Sequence, residues 1–133
     1  MTLNGAMKVS ASGLSAERFR MDVISVNIAN ANSQRTGIGP AGDPYRRREV
    51  VLNSTSDGPQ IQAVLQDNAR PFGSKFDPSS PFKDDQGRVD TSNVEPLTEM
   101  VDMMSASRAY EANIAAFNTA KGMIKSALNI GKV

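Results

Sequence analysis

The chain has 133 residues, the size of one ordinary domain, and 15 basic against 14 acidic residues leave a formal charge of +1. It contains no Cys and no His, which excludes disulfide scaffolds, imidazole or thiolate metal sites and His-dependent nucleophiles. The balanced charge gives no reason to expect a nucleic-acid partner. Aromatic residues make up only 5% of the chain, which predicts a thin core. Since Cys and His are also absent, we expect no catalytic residues, no metal and no cofactor.

Proline and glycine divide the chain into three parts. All seven prolines lie between Pro40 and Pro96, and proline is excluded from helix interiors. We therefore predict an N-terminal helical segment over 1–33, a loop-rich middle with short strands over 34–92 and a C-terminal helical segment over 93–133. The predicted fold class is mainly α, with long N- and C-terminal helices pairing as an antiparallel, coiled-coil-like hairpin around a small, Pro/Gly-rich middle that contains a β-hairpin.

The N-terminal helix carries an apolar stripe that can seat on a partner helix. Its members are Met7, Leu14, Met21 and Ile28, with Ile24 beside them. Short polar side chains from Asn30 onward predict the end of the helix. Asn27 and Asn30 share a face, and they either bond to main-chain groups of a neighbour or cap the helix end. The pattern leaves both alternatives open.

In the middle segment we predict four short strands, a hairpin connection over 53–59 and a tight turn over 84–87. The strands are Tyr45–Leu52, Gln60–Gln66, Ser74–Asp77 and Gly87–Asp90. A small sheet of this size can cover only one end of a helix pair.

The C-terminal helix is predicted to begin near Pro96, with Asn93 capping its free amides. Two apolar stripes follow it on different sides, and a helix that is apolar on two sides needs two sets of neighbours. One stripe contains Met103, Tyr110, Phe117 and Ile124, with Met100, Ile114 and Leu128 alongside. The other contains Leu97, Val101, Met104, Ala115 and Met123. The chain lacks enough elements to cover both stripes, which predicts contacts with other chains.

Three motif look-alikes have ordinary interpretations. Residues 37–42 match the dinucleotide pattern G-x-G-x-x-G, but a helix precedes them and Pro40 prevents one from following, so we favour a flexible connector. The run 46–48 is three arginines, whose side chains alternate faces in a strand; we expect a solvated or rim strand on which Arg47→Ala is mild. Asp84, Asp85 and Asp90 match neither a calcium loop nor an acid–base pair, and a turn is favoured.

Several segments resemble a known family. Residues Ser12–Ala16 and Met21–Asn32 resemble the N-terminal signature of the flagellar rod and hook axial proteins, whose N-[LI]-A-N core stands here at Asn27–Asn30. Other segments make the chain similar to one short rod member of that family. They are Asp43–Arg47, Phe76–Pro81, Asn93–Val101, Met104–Asn113, and Asn118 with Lys121.

The resemblance implies a non-enzymatic structural subunit of the proximal rod of the flagellar basal body. It implies export through the flagellar type III apparatus without a cleaved signal peptide, assembly in the periplasm and transmission of torque. It replaces the cytoplasmic location that composition alone suggests. The implied partners are further copies of the chain, other rod subunits, and the basal-body ring and adaptor proteins. The motif containing Arg108 and Asn113 adds both residues to the expected helix-seam interface.

Three alternatives are compatible with the sequence. The chain could be another short rod subunit of the same family, or a soluble helical adaptor that binds one partner helix. An enzyme using the carboxylates of the middle segment is the third.

Overall fold

The computed structural model describes residues 2–132, and its two long helices lie at the ends of the described chain. The elements, in chain order, are α1 Leu3–Ala29, a 3-10 turn Pro40–Gly42, β1 Arg48–Thr55, β2 Gly58–Gln66, β3 Gly73–Phe76, β4 Arg88–Thr91 and α2 Pro96–Ile130. In the described residues β1 pairs with β2 and β3 with β4, as two separate two-stranded sheets. The predicted pair of long helices and the small β-containing middle are confirmed. Over residues 2–132, neither helix combines the length and apolar character that crossing a membrane would require.

The ends of α1 follow from short polar side chains. At its start the Thr2 hydroxyl accepts a hydrogen bond from the Gly5 amide at 3.1 Å, which satisfies one of the free donors of the first turn. At its end the Asn30 side-chain amide donates to the Val26 carbonyl at 2.8 Å. The helix therefore stops at Ala29, at the polar run where the sequence predicts its end.

The start of α2 is partly as predicted. Pro96 is the first helical residue, a position where its missing amide costs nothing. The predicted cap is wrong, however, because the Asn93 side chain bonds to Arg47, Asp67 and Arg70 and to no amide of the first turn. The Asn93 side chain therefore makes long-range polar contacts, although the local sequence pattern assigned it to the helix end.

The first strand begins later than predicted. The amide of Tyr45 donates to Ser33 Oγ at 2.8 Å and that of Arg47 to Asn93 Oδ1 at 2.7 Å. Side chains thus engage the amides of two residues that the sequence assigned to the strand, and β1 begins at Arg48.

Both predicted turns are present, one of them shorter than expected. The β1–β2 connection is two residues, Ser56 and Asp57, followed by Gly58 with a φ of 111° that favours glycine. In the second turn Asp84 Oδ1 accepts the amides of Gln86 at 2.9 Å and Arg88 at 2.8 Å. The tight turn predicted over 84–87 is confirmed.

The chain divides into two compact units. The first contains the chain up to Asp22, the segment Val50–Ala63 and the chain from Met103 onward. Its buried side chains are small, namely Ser10, Ala16, Ala106 and Ala120. A Cβ on Gly13 would lie 2.8 Å from the Asn113 side chain, so α1 and α2 approach closely within this unit.

The second unit contains Val23–Glu49 and Val64–Asp102. In it β3 pairs antiparallel with β4, from Gly73 opposite Thr91 to Phe76 opposite Arg88. An isolated bridge between Gln34 and Thr91 adds a further pairing on β4. Val89 at the centre of β4 is buried with Ile24 and Val94, which gives this unit a small apolar core.

The G-x-G-x-x-G segment is a closed turn, and the predicted flexible connector is corrected accordingly. The Thr36 amide donates to the Gly42 carbonyl at 3.0 Å, and no helix follows to bind a phosphate. A Cβ on Gly42 would lie 2.3 Å from the Gly37 backbone, so only glycine fits at the point where the loop closes.

Two glycine substitutions should shift stability in opposite directions. Gly42→Ala forces the backbone of the closed turn apart, and we expect a loss of about 1–3 kcal/mol. Gly122 lies inside α2 with no atom within 4 Å of an added Cβ, so Gly122→Ala should gain about 0.5–1 kcal/mol in helix propensity. Urea unfolding of the full chain measures both. A neutral Gly42→Ala would contradict the closed turn.

Candidate functional site

The second unit is organised around buried polar side chains. Asn27, Tyr45, Arg47, Asn93 and Glu99 form a hydrogen-bonded group that we call the polar cluster. Glu99 and Asn27 are both 0% exposed, and Arg47 and Asn93 are also buried. Buried polar groups are costly unless they are paired, so the geometry of this cluster fixes the segments that contribute to it.

Asn27 uses all of its hydrogen-bonding capacity. Its side-chain nitrogen donates to the Arg48 carbonyl at 2.9 Å and to Glu99 Oε2 at 3.0 Å. Its oxygen accepts the Tyr45 hydroxyl at 2.9 Å and the Arg48 amide at 3.0 Å. One asparagine side chain can in this way bond both the amide and the carbonyl of a single residue, here Arg48. The two alternatives from the sequence therefore separate, with Asn27 bonding to another segment and Asn30 bonding within its own helix end.

Arg47 and Glu99 form the charged centre of the cluster. Arg47 Nε donates to Glu99 Oε1, and its terminal nitrogens reach Glu49 and, at 3.3 Å, Asp102. Burial disfavours the Arg47 cation, but the hydrogen bonds and negative charges of Glu99 and Glu49 together outweigh this, so the pKa of Arg47 is raised. The prediction that Arg47 lies on a solvated strand is wrong. It faces inward, whereas the next arginine, Arg48, is exposed.

Asn93 connects the charged pair to the rest of the middle segment. Its oxygen accepts the Arg47 amide at 2.7 Å, and its nitrogen donates to the carbonyls of Asp67 at 2.9 Å and Arg70 at 3.2 Å. The cluster thus joins the end of α1, the residues before β1, the loop after β2 and the start of α2.

Tyr45 closes the cluster from the side of the middle segment. Its hydroxyl donates to Asn27, and the Arg48 guanidinium lies 5.5 Å from its ring centre. Burial raises the pKa of Tyr45; the positive charge of Arg48 opposes this shift and the negative charge of Glu99 adds to it.

The assembly residues expected from the sequence fall into three groups by exposure. Ile24 and Asn27 are buried. Half-buried are Met7, Leu14, Met21, Ile28, Asn30, Met103, Tyr110, Asn113, Phe117 and Ile124. Exposed are Leu97, Met100, Val101, Met104, Arg108, Ile114 and Leu128. The structure brings Asn27 to the start of α2 through Glu99, and Asn113 against Gly13.

Two of the three acidic residues singled out in the middle segment, Asp84 and Asp90, have structural contacts. Asp84 accepts main-chain amides in its turn, and Asp90 binds the Arg35 guanidinium at 2.8 Å. A hydrogen bond from Ser79 lowers the pKa of Asp77. Across residues 2–132 no three acidic side chains converge in a way that could hold a metal ion.

Comparison with known proteins identifies the family. A family model described as flagella basal body rod protein matches residues 7–35, and another described as flagellar basal body rod FlgEFG protein C-terminal matches residues 85–130. The flagellar basal-body rod protein FlgC of Bacillus subtilis (strain 168) is 38% identical, with 99% of this chain and 100% of the relative covered. The chain belongs to the family of the flagellar basal-body rod protein FlgC.

Further relatives agree. FlgC of Borreliella burgdorferi is 38% identical with 98% of each chain covered, and FlgC of Salmonella typhimurium is 36% identical with 99% of this chain and 100% of the relative covered. The chain is therefore a structural subunit of the flagellar basal-body rod. Three segments that carry the family resemblance, Asn27–Asn30, Asp43–Arg47 and Asn93–Val101, contribute to the polar cluster.

Sequence reasoning missed Arg47 and Glu99, although a signal for each was present. Glu99 stands four residues before Met103, on the same side of the helix as a half-buried stripe, where a lone carboxylate needs a partner. In the extended run of arginines, Arg47 points away from its two neighbours. Pairing an isolated inward acid with an isolated inward base would have suggested the contact.

Removal of Glu99 should strongly destabilise the free chain. Glu99→Ala leaves Arg47 buried without its main partner, and we expect a loss of about 3 kcal/mol or more in the free energy of unfolding. Glu111→Ala, an exposed glutamate on the same helix, should stay within about 0.5 kcal/mol. Urea unfolding measures both.

A double-mutant cycle separates the pair from its surroundings. Because Arg47→Met with Glu99→Met removes both charges together, the double variant should lose far less than the sum of the single variants. Additive losses would show that the two side chains act independently.

Stability should also respond to the Tyr45 hydroxyl at alkaline pH. Its pKa is raised in the folded chain, so its contribution is present below the usual value near 10.0 and is lost as the pH rises through the folded value. Tyr45→Phe should cost about 1–2 kcal/mol at neutral pH, and the gap to the unaltered chain should narrow above about pH 10. Unfolding curves measured across this range test the sign. Tyr110→Phe is the control, and a gap that widens with pH would contradict the assignment.

Proposed function

We propose that this rod subunit belongs to the proximal rod and polymerises through its terminal helices into a periplasmic drive shaft that transmits torque. The observation that carries the proposal is the exposed apolar surface of α2. Leu97 is 71% exposed, and Met100, Val101, Met104 and Met123 are each more than half exposed. Such a surface marks an interaction site, because a monomer gains nothing from leaving it in water.

The distribution of buried residues supports the same proposal. Among the described residues, three of the six buried apolar side chains are alanines, while six polar or charged side chains are buried. The larger apolar side chains of α2 are therefore available to neighbours. Burying a Leu or Met side chain contributes about 1.5–3 kcal/mol, so a few such contacts per interface are sufficient to hold subunits together.

The proposed arrangement of the chain is an antiparallel, coiled-coil-like pair of helices with a folded middle. The approach of Gly13 to Asn113 within the first unit and the hydrogen bond from Asn27 to Glu99 within the second each support a pairing of the two helices. The proposed organisation is 1–33 and 93–133 as axial helices and 34–92 as the middle segment. The helix-seam residues named from the sequence are the proposed assembly interface.

The proposal extends to location and partners. The subunit is exported through the flagellar type III apparatus without a cleaved signal peptide, and it contacts copies of itself, other rod subunits and the basal-body ring and adaptor proteins. It is not an enzyme and binds no nucleic acid. The names and full-length similarity of the relatives support the basal-body location, and the near-neutral charge of the chain gives no reason to expect a nucleic-acid partner.

Charges on the exposed surface of α2 should abolish assembly without unfolding the free chain. Met104 is 55% exposed and Ile114 is 39% exposed, so Met104→Asp and Ile114→Asp leave most of the fold unchanged. In an interface each aspartate would be desolvated without a partner, at a cost of several kcal/mol. Ser56→Asp adds the same charge at an exposed turn, where aspartate is well tolerated, and is the control.

The measurement is incorporation of the tagged full chain into purified basal bodies, with circular dichroism of each free variant. We expect the Ser56→Asp chain in the rod fraction and the two helix variants outside it. Equal incorporation of all three would overturn the placement of α2 in the interface. A small complex of fixed stoichiometry outside basal bodies would indicate an adaptor instead.

A further inference from the structure

Among the described residues, Ile38 is the most exposed large apolar side chain. It is 95% exposed, at the tip of the closed turn formed by residues 37–42. A single exposed isoleucine on a flexible loop is unremarkable. Ile38 differs because the loop that carries it is fixed at its base.

Several contacts hold the base of this loop. The Thr36 amide donates to the Gly42 carbonyl, and Gly42 packs directly on the Gly37 backbone. The Arg35 guanidinium binds Asp43 at 2.8 Å and Asp90 at 2.8 Å, which ties the base to β4. Because the loop is already ordered in the free chain, a partner that binds Ile38 does not have to order it.

The surface beside Ile38 combines apolar side chains with a positive charge. A recess of about 330 Å³ adjoins it, and Pro81, Phe82 and Lys83 are among the residues that line it. The exposed Lys83 favours a partner that carries a negative charge next to an apolar contact.

The start of α2 has the complementary features. Leu97, Met100 and Val101 stand at i, i+3 and i+4, on one side of the helix, and each is more than half exposed. Side chains at this spacing border the hole that receives a knob in helix packing, and a branched isoleucine is a common knob. Glu95, which is exposed, immediately precedes this group and supplies the negative charge.

We propose that Ile38 of one copy inserts between Leu97, Met100 and Val101 of a second copy, with Lys83 facing the partner's Glu95. The inference rests on the proposed function, since it requires copies of the chain to lie side by side in the rod. The two contacting surfaces are different parts of the chain, so the contact is heterologous and can continue from copy to copy.

The chain has no native Cys, which makes cysteine cross-linking a direct test. Two full-length chains, one with Ile38→Cys and the other with Leu97→Cys, are produced together in motile cells, and purified basal bodies are treated with a short bismaleimide. Ile130→Cys replaces Leu97→Cys in the control, because Ile130 is 77% exposed and about 50 Å away along α2. We expect a heterodimer of the two chains whose yield is about tenfold above the control.

A second measurement uses incorporation into basal bodies. Ile38→Ser should reduce incorporation about tenfold or more, because the apolar contact is lost, whereas Ile38→Leu should retain most of it. Circular dichroism of the free chains confirms that both remain folded.

The outcomes separate this inference from the proposed function. Normal incorporation of both cysteine chains without the 38–97 product overturns the copy-to-copy contact and leaves the rod assignment standing. A product that joins Ile38→Cys to a different protein also overturns it, because the occupant is then not a second copy. Absence of the unaltered chain from basal bodies would instead count against the proposed function.

Discussion

The buried ion pair between Arg47 and Glu99 is the interaction on which the second unit depends. The two residues are 52 positions apart, and burying either charge alone would cost more than most single contacts in a small domain can supply. Asn27 bonds Glu99 from the end of α1, and Asn93, just before α2, bonds the Arg47 amide and the loop after β2. The cluster therefore fixes where four segments meet, since a shift of any one would leave a buried charge or amide without its partner.

Beside the small apolar core of Ile24, Val89 and Val94, the second unit buries an unusual share of polar side chains. The interior of the second unit uses charge and amide pairing, while Leu97, Met100 and Val101 remain in contact with water. A core of larger side chains could give more stability, but it would use the apolar surface that a subunit needs for its neighbours. Directional polar bonds define one geometry with few side chains, and this leaves the apolar surface of α2 available for the proposed assembly.

Local patterns predicted the elements well and their long-range partners poorly. The segregation of proline, the polar run after Ala29 and the glycines of the turns placed both helices and all four strands to within a few residues, because these signals act on the nearby backbone. Arg47 and Asn93 were misjudged for the opposite reason. Short stretches of sequence favour a solvent-facing Arg47 and an Asn93 that caps a helix. The observed positions are more favourable only because Arg47 bonds to Glu99 and Asn93 bonds to Arg47, and these partners are far apart in the sequence.

Local reasoning does better for the exposed apolar residues of α2, because it has to predict only that apolar surface is left over and not which residue it contacts. Its position on a second side of the helix follows from periodicity alone, and the amount of chain available to cover it follows from length. The neighbour that the proposed assembly would place on Met104 or Met123 is not described by one sequence. Ile38 illustrates the remaining gap, because its exposure follows from the close approach of Gly37 and Gly42, and that contact becomes visible only when the turn is seen closed.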